Sequence, residues 1–194
     1  TTPAQRSLSA ITWCLKAKTA GFPLVHHNVF FASDYAREFD AVFRERTVCA
    51  EPTVYICAQD RGEAAAGPVP ADGERLMVLV NAPADGDRHD FSQLQDAVEQ
   101  RAFALLRDCG LEVQRDPAAA RVTTPHQFDR AFPATGGALY GRASHGSMAS
   151  FKRAGARTRL PGLYTAGGSV HPGAGVPMAA MSGRLAAGRL AADL

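Results

Sequence analysis

No stretch of these 194 residues approaches the roughly 20 consecutive apolar residues of a membrane-spanning helix, so any membrane contact is expected to be peripheral. Cysteine is scarce and scattered: Cys14, Cys49, Cys57 and Cys109 form no CxxC, and none has a histidine at zinc-site spacing. All four have apolar neighbours and are expected to be reduced core thiols, which fits a cytoplasmic protein; no metal site is expected. His26 and His27 fall within a predicted strand, where alternation should turn their rings to opposite faces and keep them from sharing a metal. An excess of one charge is missing too. With a net charge of only +2 and no basic stripe, nucleic-acid binding is excluded as a leading class. There is no GK[ST] phosphate loop, no GxGxxG fingerprint and no GxSxG elbow, which removes P-loop and Ser-His-Asp hydrolase readings. The opening residues Thr1-Thr2-Pro3-Ala4-Gln5 carry neither the basic start nor the apolar run of a signal peptide, and with no initiator Met a processed or truncated chain is expected.

What the sequence does contain is a globular balance, 46% hydrophobic against 21% charged, enough for a core of useful size. Strands are predicted over Leu8 to Lys16, Leu24 to Phe31, Thr53 to Ala58 and Leu76 to Val80, with shorter extended pieces at Leu111 to Gln114 and Ala120 to Thr124. Arg61 to Arg75, rich in Gly, Pro, Ala and Asp, reads as a loop. A helix over Tyr35 to Arg44 should start at Ser33-Asp34 and bury Tyr35, Phe39, Val42 and Phe43. A longer one, about Phe91 to Cys109, should be capped by Asp90 or Ser92, closed by Gly110, and bury Leu94, Val98, Leu105 and Cys109. Pro117 and Pro125 read as breaks. Phe22, Phe30, Phe31, Phe39, Phe43, Phe128 and Phe132 suit either a core or an apolar tunnel, with core the better expectation for most. Near Phe132-Pro133 glycine becomes frequent, and a boundary is expected there.

From Leu160 the order is a turn at Pro161-Gly162, a short strand at Leu163 to Ala166, a glycine-rich loop, and a final helix from about Pro177. Such a unit aims free backbone N–H groups and a positive helix end at a negatively charged ligand. The alternative is that the glycines only make a tight turn. Leu163-Tyr164-Thr165-Ala166-Gly167-Gly168-Ser169 followed by His171-Pro172-Gly173-Ala174-Gly175-Val176-Pro177 resembles the C-terminal flavin signature of bacterial phytoene-type carotenoid desaturases. Gly136-Gly137-Ala138-Leu139-Tyr140-Gly141-Arg142-Ala143-Ser144-His145-Gly146 is similar to the branch that desaturates acyclic hydroxy- or methoxyneurosporene.

The resemblance implies an α+β or α/β fold: a C-terminal segment of an FAD-binding, Rossmann-like (amine-oxidase-like) domain at residues 133–194, and part of a mixed-sheet substrate domain at residues 1–132. It implies FAD as cofactor and a carotenoid desaturated at C3–C4 as substrate, in carotenoid biosynthesis. The protein would be cytoplasmic, peripheral to the inner or photosynthetic membrane. Gly167, Gly168, Ser169, Gly175, Val176, Pro177, Met178 and Ala179 are the expected cofactor-binding residues; His171 is either an acid–base residue or one that holds the loop or contacts the flavin, and His145 a candidate substrate or flavin contact. Family members open with a GxGxxG nucleotide unit. None is found here, so a C-terminal fragment, inactive on its own, is expected. Phytoene desaturation, another flavin amine-oxidase-like activity and an inactive binding module remain as alternatives.

Overall fold

The computed structural model describes residues 2–62, 70–143 and 148–194. Its organising strand is β1, Ser9–Gly21, buried throughout its first five residues and then alternating until the chain runs into solvent. β1 lies antiparallel to β4 (Glu74–Ala82) along residues 9–17, and to β6 (Ala120–Thr123) on its other edge at residues 12–15. Its last four residues pair antiparallel with β5 (Leu111–Gln114). β4 carries β3 (Val54–Ala58), and β3 carries β2 (His27–Phe30). The order is thus β2-β3-β4-β1-β5 with β6 also on β1. Every pairing among the described strands is antiparallel, where a mixed sheet was expected.

One face of the sheet is covered by α2 (Ser92–Asp108). The core joins Ile11, Trp13 and Leu15 of β1 and Leu76, Val78 and Val80 of β4 to Val98, Ala102, Phe103 and Leu106 of α2. The buried stripe of α2 is therefore rotated from the one expected. Val98 is in the core, but Leu94 and Cys109 are exposed and Leu105 is only partly covered. Phe103 meets Trp13 edge to face, with ring centres 6.3 Å apart, and that ring contact fixes the helix rotation. Gly110 closes the helix with a left-handed φ of +83° and a bond from its N–H to Arg107 O.

Four further expectations change. Pro125 begins α3 (Pro125–Ala131), because Pro fits the first helical turn and Thr124 with Gln127 makes a capping box. The helix at Tyr35 is a short α1 (Tyr35–Phe39) that widens into a π turn over Asp40–Glu45. Asp34 caps it, accepting from Arg37 N–H at 3.0 Å, yet its buried side are Glu38, Ala41 and Val42, and Tyr35, Phe39 and Phe43 stand exposed. Of the seven phenylalanines weighed as core, Phe30 is buried while Phe22, Phe31, Phe39, Phe43 and Phe132 are exposed. All four cysteines are free, but only Cys49 and Cys57 are buried.

A deeply buried ion pair lies within the sheet. Arg61 meets the fully buried Glu74 with two bonds of 2.7 and 2.8 Å, and Thr19 donates to the same carboxylate. Burial pushes the Glu74 carboxyl upward, but the Arg61 guanidinium and the Thr19 hydroxyl outweigh it and hold the group below its usual range.

The chain divides into two compact units, residues 9–137 and residues 138–194 with 1–8. In the second unit the opening residues lie antiparallel to residues 139–143: Ser7 N–H donates to Gly141 O at 2.8 Å, Leu139 N–H to Leu8 O, and Ala143 N–H to Gln5 O. None of the described helices is long and apolar enough to cross a membrane.

Candidate functional site

The glycine-rich segment sits wholly in the second unit. Leu160-Pro161-Gly162-Leu163 forms the expected turn, closed by Leu163 N–H to Leu160 O, with Gly162 at φ +78°. The expected strand at Leu163 to Ala166 is reduced to one bridge, Arg157 with Tyr164, plus a bond from Thr165 N–H to Ala156 O. Among the described residues this segment finds only that local partner, so it never becomes a ladder.

The loop that follows leads into α4, Val176–Asp193, one residue earlier than expected. Gly175 is its N-cap at φ +101°, a conformation that side chains resist. A Cβ built on Gly167 or Gly175 would meet nothing within 4 Å among the described residues, so neither glycine is packed against them. Val176 is 85% exposed, and its N–H and that of Met178 have no acceptor within the helix. Ala179 differs, because its N–H already donates to Gly175 O at 2.9 Å. Of the four helix residues named from sequence, Pro177 has no N–H and Ala179 has used its own. Val176 and Met178 are the two that can still donate.

Two residues that no motif pointed to hold this loop in shape. Arg153, nearly buried, donates to Tyr140 O (3.1 Å from each terminal nitrogen), Gly168 O (3.1 Å) and Arg142 O (3.0 Å). One guanidinium thereby ties two loops together through their carbonyls. Ser182, buried on α4, accepts Gly167 N–H at 3.2 Å. Sequence carried a faint signal for the second: a Ser one turn and a half into a helix of small residues. For Arg153 there was none, since an isolated Arg usually lies on the surface.

Ser169 is exposed and packs on Gly141, whose own Cβ would stand 2.4 Å from Ser169 Oγ; only glycine fits there. His171 is half-buried, its N–H donating to Ala154 O and its ring tilted against Phe151 at 6.2 Å. His145 lies outside the described residues. Beside the loop, a pocket of about 410 Å³ is lined by Ser7, Tyr140, Arg142, Arg153, Gly173 and Met178 among others, a size suited to part of a cofactor. It brings a cationic group, Arg142, into the same pocket as Met178 in the first turn of α4. Left-handed glycines not packed against the described residues, two helix-start N–H donors and an arginine together fit an anionic or electron-rich ligand that approaches backbone closely.

Comparison with known proteins agrees with that fit. Residues 28–191 match the family described as flavin containing amine oxidoreductase. The chain is 61% identical over 194 residues to a hydroxyneurosporene desaturase of Rubrivivax gelatinosus, covering 99% of this chain and 36% of that protein. It is 46% identical over 191 residues to a hydroxyneurosporene desaturase of Cereibacter sphaeroides (97% and 37%) and 30% identical over 185 residues to a 1-hydroxycarotenoid 3,4-desaturase of a Flavobacterium (94% and 37%). The chain thus spans little more than a third of the length of these relatives, and it belongs to the flavin containing amine oxidoreductase family.

Proposed function

We propose that these residues are the C-terminal part of an FAD-dependent desaturase acting on an acyclic hydroxy- or methoxycarotenoid of the neurosporene type. The observation that carries the reading is the glycine loop running into α4, where, among the described residues, the Val176 and Met178 N–H groups have no acceptor and nothing packs on the Cβ positions of Gly167 and Gly175. Residues 138–194 with 1–8 would belong to the Rossmann-like cofactor domain, and residues 9–137 to the substrate domain.

Bound FAD supplies the two-electron acceptor that no protein side chain can provide. The residues of this chain bind and orient it. Gly167 and Gly168 would let backbone approach the ribityl and pyrophosphate, and Ser169 would offer a hydroxyl donor. Arg142 would add positive charge within the pocket that it shares with Met178. Val176 and Met178 would donate to the ring edge, where the α4 dipole would favour negative charge by about 0.3–1 kcal/mol at an exposed helix start. His171, whose N–H donates to Ala154 O and whose ring tilts against Phe151, would either hold the loop against the flavin or exchange a proton with substrate or cofactor.

A carotenoid is delivered from a membrane, and an aromatic ladder supports a peripheral association. Phe31, Tyr35, Phe39 and Phe43 recur every fourth residue, each ring 5.0–6.1 Å from the next and all exposed. Aromatic side chains on such a ladder suit the headgroup level of a bilayer.

The test is turnover by full-length protein in liposomes loaded with 1-hydroxyneurosporene, neurosporene or phytoene. Flavin bleaching with consumption of the hydroxylated polyene supports the assignment. Consumption of phytoene alone moves it to phytoene desaturation, and absence of flavin sinks it.

A further inference from the structure

The sheet carries a second cluster, on residues that the flavin reading does not use. Near the start of β2 the buried Asn28 side chain accepts Val25 N–H at 2.9 Å and donates to Val25 O at 2.7 Å. That clasp bends residues 25–28, so His26 falls outside the strand. Its ring comes back against that of His27, centroids 4.4 Å apart, where strand alternation predicts opposite faces. The backbone of His26 is held on both sides, its N–H by Gly62 O and its carbonyl by Ala58 N–H.

The sulfur arrives by register. His27 sits directly opposite Cys57 in the β2–β3 ladder, and directly opposed residues project to the same face. One ring nitrogen from each histidine and Cys57 Sγ lie within 4.8 Å of one another.

The surrounding groups prepare these ligands. His26 Nδ1 lies 2.9 Å from Arg61 O; a carbonyl can only accept, so Nδ1 is the donor here and Nε2 is the nitrogen that a neutral ring leaves open to a metal. That Nε2 is 3.7 Å from Cys57 Sγ. Tetrahedral zinc with Zn–N near 2.05 Å and Zn–S near 2.3 Å sets nitrogen and sulfur about 3.6 Å apart. His27 Nδ1 lies 2.7 Å from the Tyr55 hydroxyl, two residues along β3 on the same face. A carbonyl on one imidazole and a hydroxyl on the other is the outer arrangement that orients metal-bound histidines.

We propose that His26, His27 and Cys57 form a three-ligand site for zinc, with water completing the tetrahedron on the exposed His27 side. Two imidazoles and a thiolate suit zinc over oxygen-seeking magnesium or calcium. Binding would release the thiol proton to solvent and staple the start of β2 to β3.

The experiment uses full-length protein stripped with a chelator and titrated with cobalt(II) as the spectroscopic stand-in, then with zinc as competitor. One equivalent of cobalt is expected to give a thiolate charge-transfer band and tetrahedral d–d bands to the red of flavin absorption, both bleached by one equivalent of zinc. His27→Gln, at an exposed position that leaves the fold intact, should weaken zinc binding by at least about 100-fold. Tyr55→Phe, which keeps every ligand, should weaken it by about 10–100-fold. Cys57→Ser should remove the charge-transfer band, while Cys14→Ser and Cys109→Ser keep it. Absence of stoichiometric binding, a band that survives Cys57→Ser, or zinc affinity unchanged in His27→Gln overturns the site and leaves a thiol–imidazole hydrogen bond in its place.

Discussion

The two units of this chain are held together by different physics. Residues 9–137 bury nearly all of the apolar core, from Ile11 and Trp13 through Val78 to Leu106 and Leu111. In residues 138–194 with 1–8, Val170 is the buried hydrophobic residue among those described, while Leu163, Met178, Met181, Leu185 and Leu190 stay exposed. Polar groups take the place of a core there: Arg153 on three carbonyls, Ser182 on Gly167 N–H, Ser7 on Tyr140 N–H. Non-directional burial makes a sheet stable in itself. Directed hydrogen bonds fix backbone positions while contributing little net energy each. A site that must present backbone N–H groups to a ligand is better served by the second arrangement.

The comparison is tested first where it predicts the largest effect. Trp13 is buried against Phe103 and donates to Glu99 at 2.8 Å, so Trp13→Ala should cost about 3–5 kcal/mol in denaturant unfolding. Arg153→Met should behave otherwise. Losing its bonds to the Tyr140, Arg142 and Gly168 carbonyls should cost about 1–3 kcal/mol, and those carbonyls lie within residues 138–175. Hydrogen exchange should therefore speed up roughly 5- to 150-fold at the amides of that loop, with β1 and β4 protected as before. Equal loss of protection in both units would show that Arg153 supports the fold as a whole.

Legibility from sequence follows the same division. Five of the six strands overlap the expected runs closely, because β-branched alternation survives wherever a sheet has one buried face: Glu74, Leu76, Val78, Val80 and Ala82 are the inward set of β4. Helix faces were read less well. On α2 the ring contact with Trp13, a partner about 90 residues away in sequence, chose the rotation; on α1 the buried Glu38, bonded to Thr53 N–H and Asn81, displaced the aromatic stripe to solvent. In the glycine-rich unit the motif gave the loop and the helix start to within a residue. It could not give Arg153 or Ser182, because a side chain that serves a distant carbonyl or amide leaves no periodic trace. Nor could strand alternation foresee the meeting of His26 and His27, which depends on the Asn28 clasp.

A smaller effect is expected at Ser182. Ser182→Ala leaves Gly167 N–H without its acceptor and should lower stability by about 0.5–1.5 kcal/mol. If the loop is shaped for flavin, the measurable change is in cofactor retention. FAD should dissociate faster from the variant by up to about tenfold, while thermal unfolding of the sheet is almost unmoved. Unchanged retention would mean that Gly167 is positioned by its own dihedral preference.

The mildest perturbation concerns the end of α4. Asp193 accepts from the Arg157 guanidinium and from the Tyr164 hydroxyl at 2.6 Å, so the last helical turn is clasped to the Arg157–Tyr164 bridge. Arg157 first, and Tyr164 after it, hold the Asp193 carboxyl down at about 2, below the usual 3.9 or so. A carboxyl depressed in the folded state stabilises it fully above its unfolded value and loses that contribution as pH falls through the folded one. The clasp should therefore be intact at pH 5 and fade between about 4 and 2. Asp193→Asn should fray the last turn of α4 at pH 5, read by hydrogen exchange at residues 189–193, and differ progressively less from the parent as pH approaches 2. A difference that persists unchanged to pH 2 would assign the effect to the tyrosine bond rather than to the ion pair. The carboxylate also sits at a helix C-terminus, where the dipole opposes negative charge, so the Arg157 and Tyr164 contacts must outweigh that repulsion for the clasp to hold.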